Sequence, residues 1–125
     1  MSEDFNFSEM NSLIEGSVDE RKGRLLVEIK DDVTNTTVPA LRKGLLHIIN
    51  STELDSWKAL YLDLRNCRII DSMGVNWLFA ELVRLQGIKK QIVLRISSPA
   101  INRVIQFAGL DKLVTLKYRR RKQTR

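Results

Sequence analysis

A chain of 125 residues, 43% apolar and 29% charged, has the size and composition of one ordinary domain, able to bury a core without a disulfide or a metal. A single cysteine, Cys67, excludes an intrachain disulfide and a cysteine-rich zinc site, and a single histidine, His47, leaves little from which to build a serine triad. The net charge of +6 is lopsided: residues 1–20 hold six acids and no Lys or Arg, while KYRRRKQTR at 117–125 holds six bases and no acid, without which 15 bases balance 15 acids.

Residues 1–11 read as a flexible acidic N-terminus, 12–118 as the folded domain and 119–125 as a basic C-terminal tail. Such a tail can attract nucleic acid or anionic lipid, but a solvated terminus is the plainer reading, and nucleic acid is not expected as a partner. The start MSEDFNFSEM is the reverse of a basic signal sequence, and no long apolar run follows. The expected location is therefore cytoplasmic.

In chain order, Ser12 to Val18 and the more clearly alternating Arg24 to Lys30 read as strands, joined by a DERKG turn that uses Gly23. Asn35, Thr36 and Thr37 are candidate caps for a helix with Pro39 in its first turn and Val38, Leu41, Leu45, Ile48 and Ile49 at helical spacing. Gly44 weakens this helix, and His47 lies on it with no nucleophile motif nearby. Ala59 to Leu64 is a compact apolar strand of the kind covered on both faces. Cys67 follows, where a packing role is expected.

A helix from Met73 to Gln86, closed by Gly87, places Val75, Leu78, Phe79, Leu82 and Leu85 on its apolar side and Met73, Trp77, Ala80, Glu81 and Arg84 opposite. Gln91 to Ile96 is a strand. Ser98 caps and Pro99 opens a third helix ended by Gly109, and Leu113 to Leu116 is a last short strand. The order β-β-α-β-α-β-α-β predicts an α/β fold, with right-handed crossovers and a mixed, mostly parallel sheet.

The junction at Asp71 and Ser72 carries the most specific signal. A buried strand turns and delivers Asp-Ser-Met-Gly to a helix start, where unpaired amides and about half a positive charge favour a capping oxygen or a phosphate. Gly74, one turn in, lets another backbone or a ligand approach closely. Spacing alone favours a simple cap.

The stretch YLDLRNCRIIDSMGVNWLFAELVRL closely resembles the central segment of STAS domains, found in bacterial anti-sigma factor antagonists and at the ends of sulfate transporters. ISSPAINRVIQFAGLDKLVTL resembles the family's ending and RLLVEIKDDVTNTTVPALRKGL its second strand and first helix, so the resemblance spans residues 12–118. It implies a protein-binding switch. In such antagonists the serine after the Asp, here Ser72, is phosphorylated by a serine kinase that is also the anti-sigma factor. The unmodified form binds that partner, the phosphorylated form releases it, and a phosphatase resets the cycle.

The partner surface expected from this comprises Thr34, Asp71, Ser72, Met73, Gly74, Trp77, Ala80 and Arg84. Two placements of Trp77 are open: on that surface, or folded back onto the domain under the N-terminal segment. Thr34 stands where many antagonists carry an Asp near the phosphorylated serine, and Asp31 where they carry Gly, so the loop brings no charge at position 34. Rival readings use the same fold. One is an accessory subunit of a lipid-transporting ABC system that docks on its ATPase, the only reading with membrane contact. Another is a scaffold subunit that is never phosphorylated. An enzyme is not expected, because the sequence has no metal-ligand cluster, P-loop or paired base and nucleophile; no cofactor and no metal are implied.

Overall fold

The first two strands, β1 (Ile14–Asp19) and β2 (Arg24–Ile29), form an antiparallel hairpin whose register runs from Ile14 opposite Ile29 to Asp19 opposite Arg24. Its turn places Gly23 at φ +63°, a left-handed conformation that favours glycine. In the computed structural model the described residues are 12–120. The expected acidic arm at 1–11 and residues 121–125 of the basic tail lie outside them.

Strands β3 (Ala59–Asp63), β4 (Gln91–Ile96) and β5 (Thr115–Tyr118) then add in parallel, giving a five-stranded sheet in chain order. Helices α1 (Val38–Ser51), α2 (Ser72–Gln86) and α3 (Pro99–Phe107) alternate with them. Each crossover steps the same way across the sheet, so right-handed connections bring all three helices to one face. There Leu25, Val27, Leu60, Leu62, Ile92 and Leu94 join Leu41, Leu45, Leu78, Leu82 and Ile105 in one core. The expected α/β architecture and element order are both present. Among the described residues no helix is long and apolar enough to cross a membrane.

Among the described residues no helix covers the other sheet face. Its apolar content is Ala59, Tyr61 and Val93, with Leu26 partly buried beside them. Cations cover it instead: Arg24, Arg95 and Lys117 lie 4.5, 4.8 and 5.8 Å from the Tyr61 ring centroid. The apolar run of β3 is thus covered on both faces as expected, but by charged side chains on one of them.

Three local readings change. β1 begins at Ile14 rather than Ser12. β5 begins at Thr115 rather than Leu113, because Leu110–Lys112 forms a 3-10 turn and Leu113 and Val114 are drawn against the core before the chain extends. The larger correction concerns the faces of α2. Trp77 is only 4% exposed and lies with Leu78, Leu82 and Leu85 against the sheet, whereas Phe79 is 50% exposed. Trp77 therefore leaves the proposed outer surface and Phe79 joins it. Counting 100° per residue, the buried arc is rotated about 60° from the one inferred from sequence. Phe79 and Val83 extend apolar character onto the solvent side, and that apolar character shifts the apparent stripe away from Trp77.

Candidate functional site

Two loops meet at the C-terminal ends of β2 and β3, and two carboxylates tie them together. Asp32 Oδ1 accepts from the Arg68 and Ile69 amides at 2.9 and 3.1 Å. The Val33 amide donates to the Ile69 carbonyl at 3.0 Å, and Val33 and Ile70 form an isolated parallel bridge. The Asp71 amide returns a bond to the Val33 carbonyl at 3.3 Å. Asp71 itself is the N-cap of α2: Oδ1 accepts from the Gly74 amide at 2.8 Å, while Oδ2 accepts from the Asn35 amide at 2.9 Å. One side chain both starts the helix and holds the neighbouring loop over it.

Gly74 makes this approach possible. A Cβ there would lie 2.1 Å from the Val33 carbonyl oxygen, far inside contact distance. The close backbone approach anticipated at this glycine is present, and the approaching backbone is that of Val33.

Ser72 is the first residue of α2 and is exposed. Among the described residues no hydrogen bond engages its hydroxyl, so the group is presented to solvent. It lies on the line of α2 farthest from the core, with Asn76, Phe79 and Val83. Met73 and Ala80 are also exposed. Arg84 is exposed but pairs with Glu81 at 2.5 Å, and twelve residues of helix put it about 18 Å along the axis from Ser72. It flanks the far end of the stripe rather than Ser72. Thr34 is partly buried and its hydroxyl meets that of Thr36 at 3.0 Å.

Beside this line runs an open groove of about 750 Å³ between α2 and α3, in which Ser72, Val75 and Asn76 face Arg103, Val104 and Phe107. Phe107 is 97% exposed, and Met73, Phe79 and Val83 add further uncovered apolar area. Asp32 and Phe107 had no sequence signal pointing to the site. The partners of Asp32 are 36 and 37 residues away, and Phe107 sits at the end of α3 where an apolar residue ordinarily turns inward.

Hydrogen bonds from the Gly74 and Asn35 amides hold the Asp71 carboxyl below the usual carboxylate range. The site therefore carries a fixed negative charge beside Ser72. A phosphate added there contributes about −1.5 to −2 more. Cys67, in the same loop, is buried, and burial pushes its thiol up to about 11. It packs and does not act as a nucleophile at neutral pH.

A search of curated protein sequences returns no match. Among solved structures, an anti-sigma factor antagonist from Mycobacterium paratuberculosis is 28% identical, with a TM-score of 0.67 over 83% of this chain and 85% of that one. The antagonist SpoIIAA in its unphosphorylated form aligns at 14% identity with a TM-score of 0.57, covering 89% of each chain. The Bacillus SpoIIAA in its phosphorylated form aligns at 16% identity with a TM-score of 0.58, over 82% of this chain and 89% of that one. A family model described as "Mlab, STAS domain" matches residues 17–115, and the chain belongs to that family.

Proposed function

We propose that this chain is an anti-sigma factor antagonist: a cytoplasmic bacterial regulator, not an enzyme, that binds an anti-sigma factor/serine kinase and is switched by phosphorylation of Ser72. The observation that carries the proposal is the position of Ser72. Its hydroxyl is solvent-exposed at the first turn of α2, directly after the Asp71 cap and at the edge of an uncovered apolar groove. The similarity to anti-sigma factor antagonists supports the class of partner.

The electrostatics support a release mechanism. Within the domain, a phosphate at Ser72 meets the N-terminal end of α2 and its remaining amides, which favour negative charge. Against a desolvated partner, the same phosphate beside ionised Asp71 brings two negative groups into one contact. Modification thus costs the fold little and the complex much. A phosphatase then restores the binding form. The contact surface proposed is Asp71, Ser72, Met73, Ala80, Phe79 and Val83, with Thr34 and Gly74 shaping its edge and Arg84 at its far end.

Incubation with the cognate anti-sigma factor/serine kinase and ATP, followed by peptide mass mapping, tests the assignment. Phosphate at Ser72 is expected; phosphate elsewhere with Ser72 unmodified removes it. One feature favours a second reading, docking on a transport ATPase without a phosphate cycle: the Thr34 hydroxyl is spent on Thr36 and brings no charge to the site. Neighbouring genes for a permease and an ATPase, in place of a histidine-kinase-like ATPase, would support that reading.

A further inference from the structure

Ser72 and Arg103 stand on opposite sides of the open groove between α2 and α3. These helices follow the parallel strands β3 and β4, so they start at the same end of the sheet. Ser72 is the first residue of α2, and Arg103 lies one turn into α3, about 6 Å along its axis. Helical side chains lean toward the helix N-terminus, which carries the Arg103 guanidinium back toward the level of Ser72. Between the two the groove is apolar, with Val75, Val104 and Phe107 in its walls.

Arg103 is exposed, and no ion pair among the described residues engages it. The acids of the neighbouring loops are committed to backbone amides: Asp71 to Gly74 and Asn35, Asp32 to Arg68 and Ile69, and Asp31 to Asp32. Glu81, farther along α2, pairs with Arg84. Arg68 lies in the loop before Asp71 but does not line the groove. The groove thus sets an unpaired cation opposite a hydroxyl that no hydrogen bond among the described residues engages.

We infer that Arg103 receives the phosphate of phosphorylated Ser72, and that the ion pair so formed spans the groove and closes it; this rests on Ser72 being the modified residue, as proposed above. The planar guanidinium fork matches phosphate oxygens through two parallel bonds, which a hydroxyl does not offer. The pair crosses the mouth of the groove. The phosphorylated form therefore covers, with its own side chains, apolar surface that the unmodified form leaves open. Release of the partner then has a steric part besides the repulsion between the partner surface and the charges of Asp71 and the phosphate.

The test uses the full chain with phosphoserine installed at position 72 during translation by a suppressor tRNA, so no kinase is required. The second ionisation of the phosphoserine, at about pH 6, is followed by 31P NMR. An adjacent cation favours the dianion and lowers that value, whereas Asp71 raises it equally in every variant. The titration midpoint is expected about 0.5 lower with Arg103 present than in Arg103→Gln, with Arg103→Lys in between. Arg68→Gln and Arg84→Gln are expected to leave it in place. In a 15N spectrum the Arg103 Nε–H signal is expected to move between the unmodified and phosphorylated chains. Equal midpoints for wild type and Arg103→Gln, or an equal rise in Arg68→Gln or Arg84→Gln, would overturn the inference. So would an Arg103 Nε–H signal unchanged by the phosphate. Failure of the kinase to modify Ser72 removes the switch proposed above and leaves this titration unaffected, so the two readings fail separately.

Discussion

Replacing Gly74 with alanine gives two opposite expectations, and the structure decides between them. A helical glycine changed to alanine ordinarily stabilises by about 1 kcal/mol. Here the new methyl would lie 2.1 Å from the Val33 carbonyl oxygen, over 1 Å inside ordinary contact, and the neighbour is backbone that cannot rotate away. The Asp31–Thr37 loop must move outward by about 1 Å, an overpacking strain of about 1–3 kcal/mol. That shift stretches the Asp71–Val33 and Val33–Ile69 backbone bonds, worth about 1 kcal/mol each. After the helical gain, the net destabilisation is about 1–3 kcal/mol. For a chain of 125 residues the unfolding entropy is about 0.26 kcal/mol/K, so each kcal/mol moves the midpoint about 4 °C. A thermal melt followed by circular dichroism should show a fall of about 4–12 °C. A midpoint unchanged or raised would refute the claim that this glycine admits the Val33 backbone, and with it the account of how the two loops are joined.

Four other outcomes follow from the same geometry. Trp77→Ala should cost about 3–5 kcal/mol of stability, as removal of a buried indole does, whereas Phe79→Ala should leave the melt almost unchanged and weaken partner binding about tenfold; the reverse pattern, by melting and calorimetry, would return Trp77 to the surface. Cys67 should resist a disulfide reagent at pH 8 and react only at the rate of unfolding, since it is buried and its thiol is pushed up to about 11. Asp63 and Asp71 both have folded pKa values below the unfolded one. Their contribution is therefore complete above the unfolded value of about 3.9 and is lost as pH falls through the folded values. The melting midpoint should hold near neutral pH and drop in acid, and Asp71→Asn should shorten that acid limb; a limb unaltered by the substitution contradicts the bonding described for Asp71.

The sheet and its order were legible because the chain marks its elements twice, by periodicity and by punctuation. Ser98 and Pro99 announce α3, and the Ser98 hydroxyl does accept from the Ile101 amide at 3.2 Å. Asp71 announces α2 and caps it. What failed was phase. Phe79 and Val83 are apolar yet exposed, so the pattern of α2 has two apolar arcs, and hydrophobicity alone does not say which one meets the sheet. Burial of Trp77 settles it, although its indole nitrogen has no hydrogen-bond partner among the described residues. An exposed apolar arc that blurs a helix's phase is itself informative: it is where another surface is expected to pack. The joint between the loops was illegible for a different reason. Asp32 and Asn35 bond across 36 residues through backbone amides, and backbone groups carry no sequence signature. Thr37 illustrates the same point locally, since its hydroxyl accepts from the Thr34 amide and donates to the Asp32 carbonyl instead of capping α1.

The central claim is that the Ser72 end of α2 is a binding surface governed by charge. The most direct measurement is the affinity of the cognate anti-sigma factor/serine kinase for the wild-type chain, for Ser72→Ala and for Ser72→Asp, by titration calorimetry under one salt condition. The account predicts that wild type and Ser72→Ala bind alike and that Ser72→Asp binds at least tenfold more weakly, with all three melting within a few degrees of one another. Equal affinity for all three would contradict it.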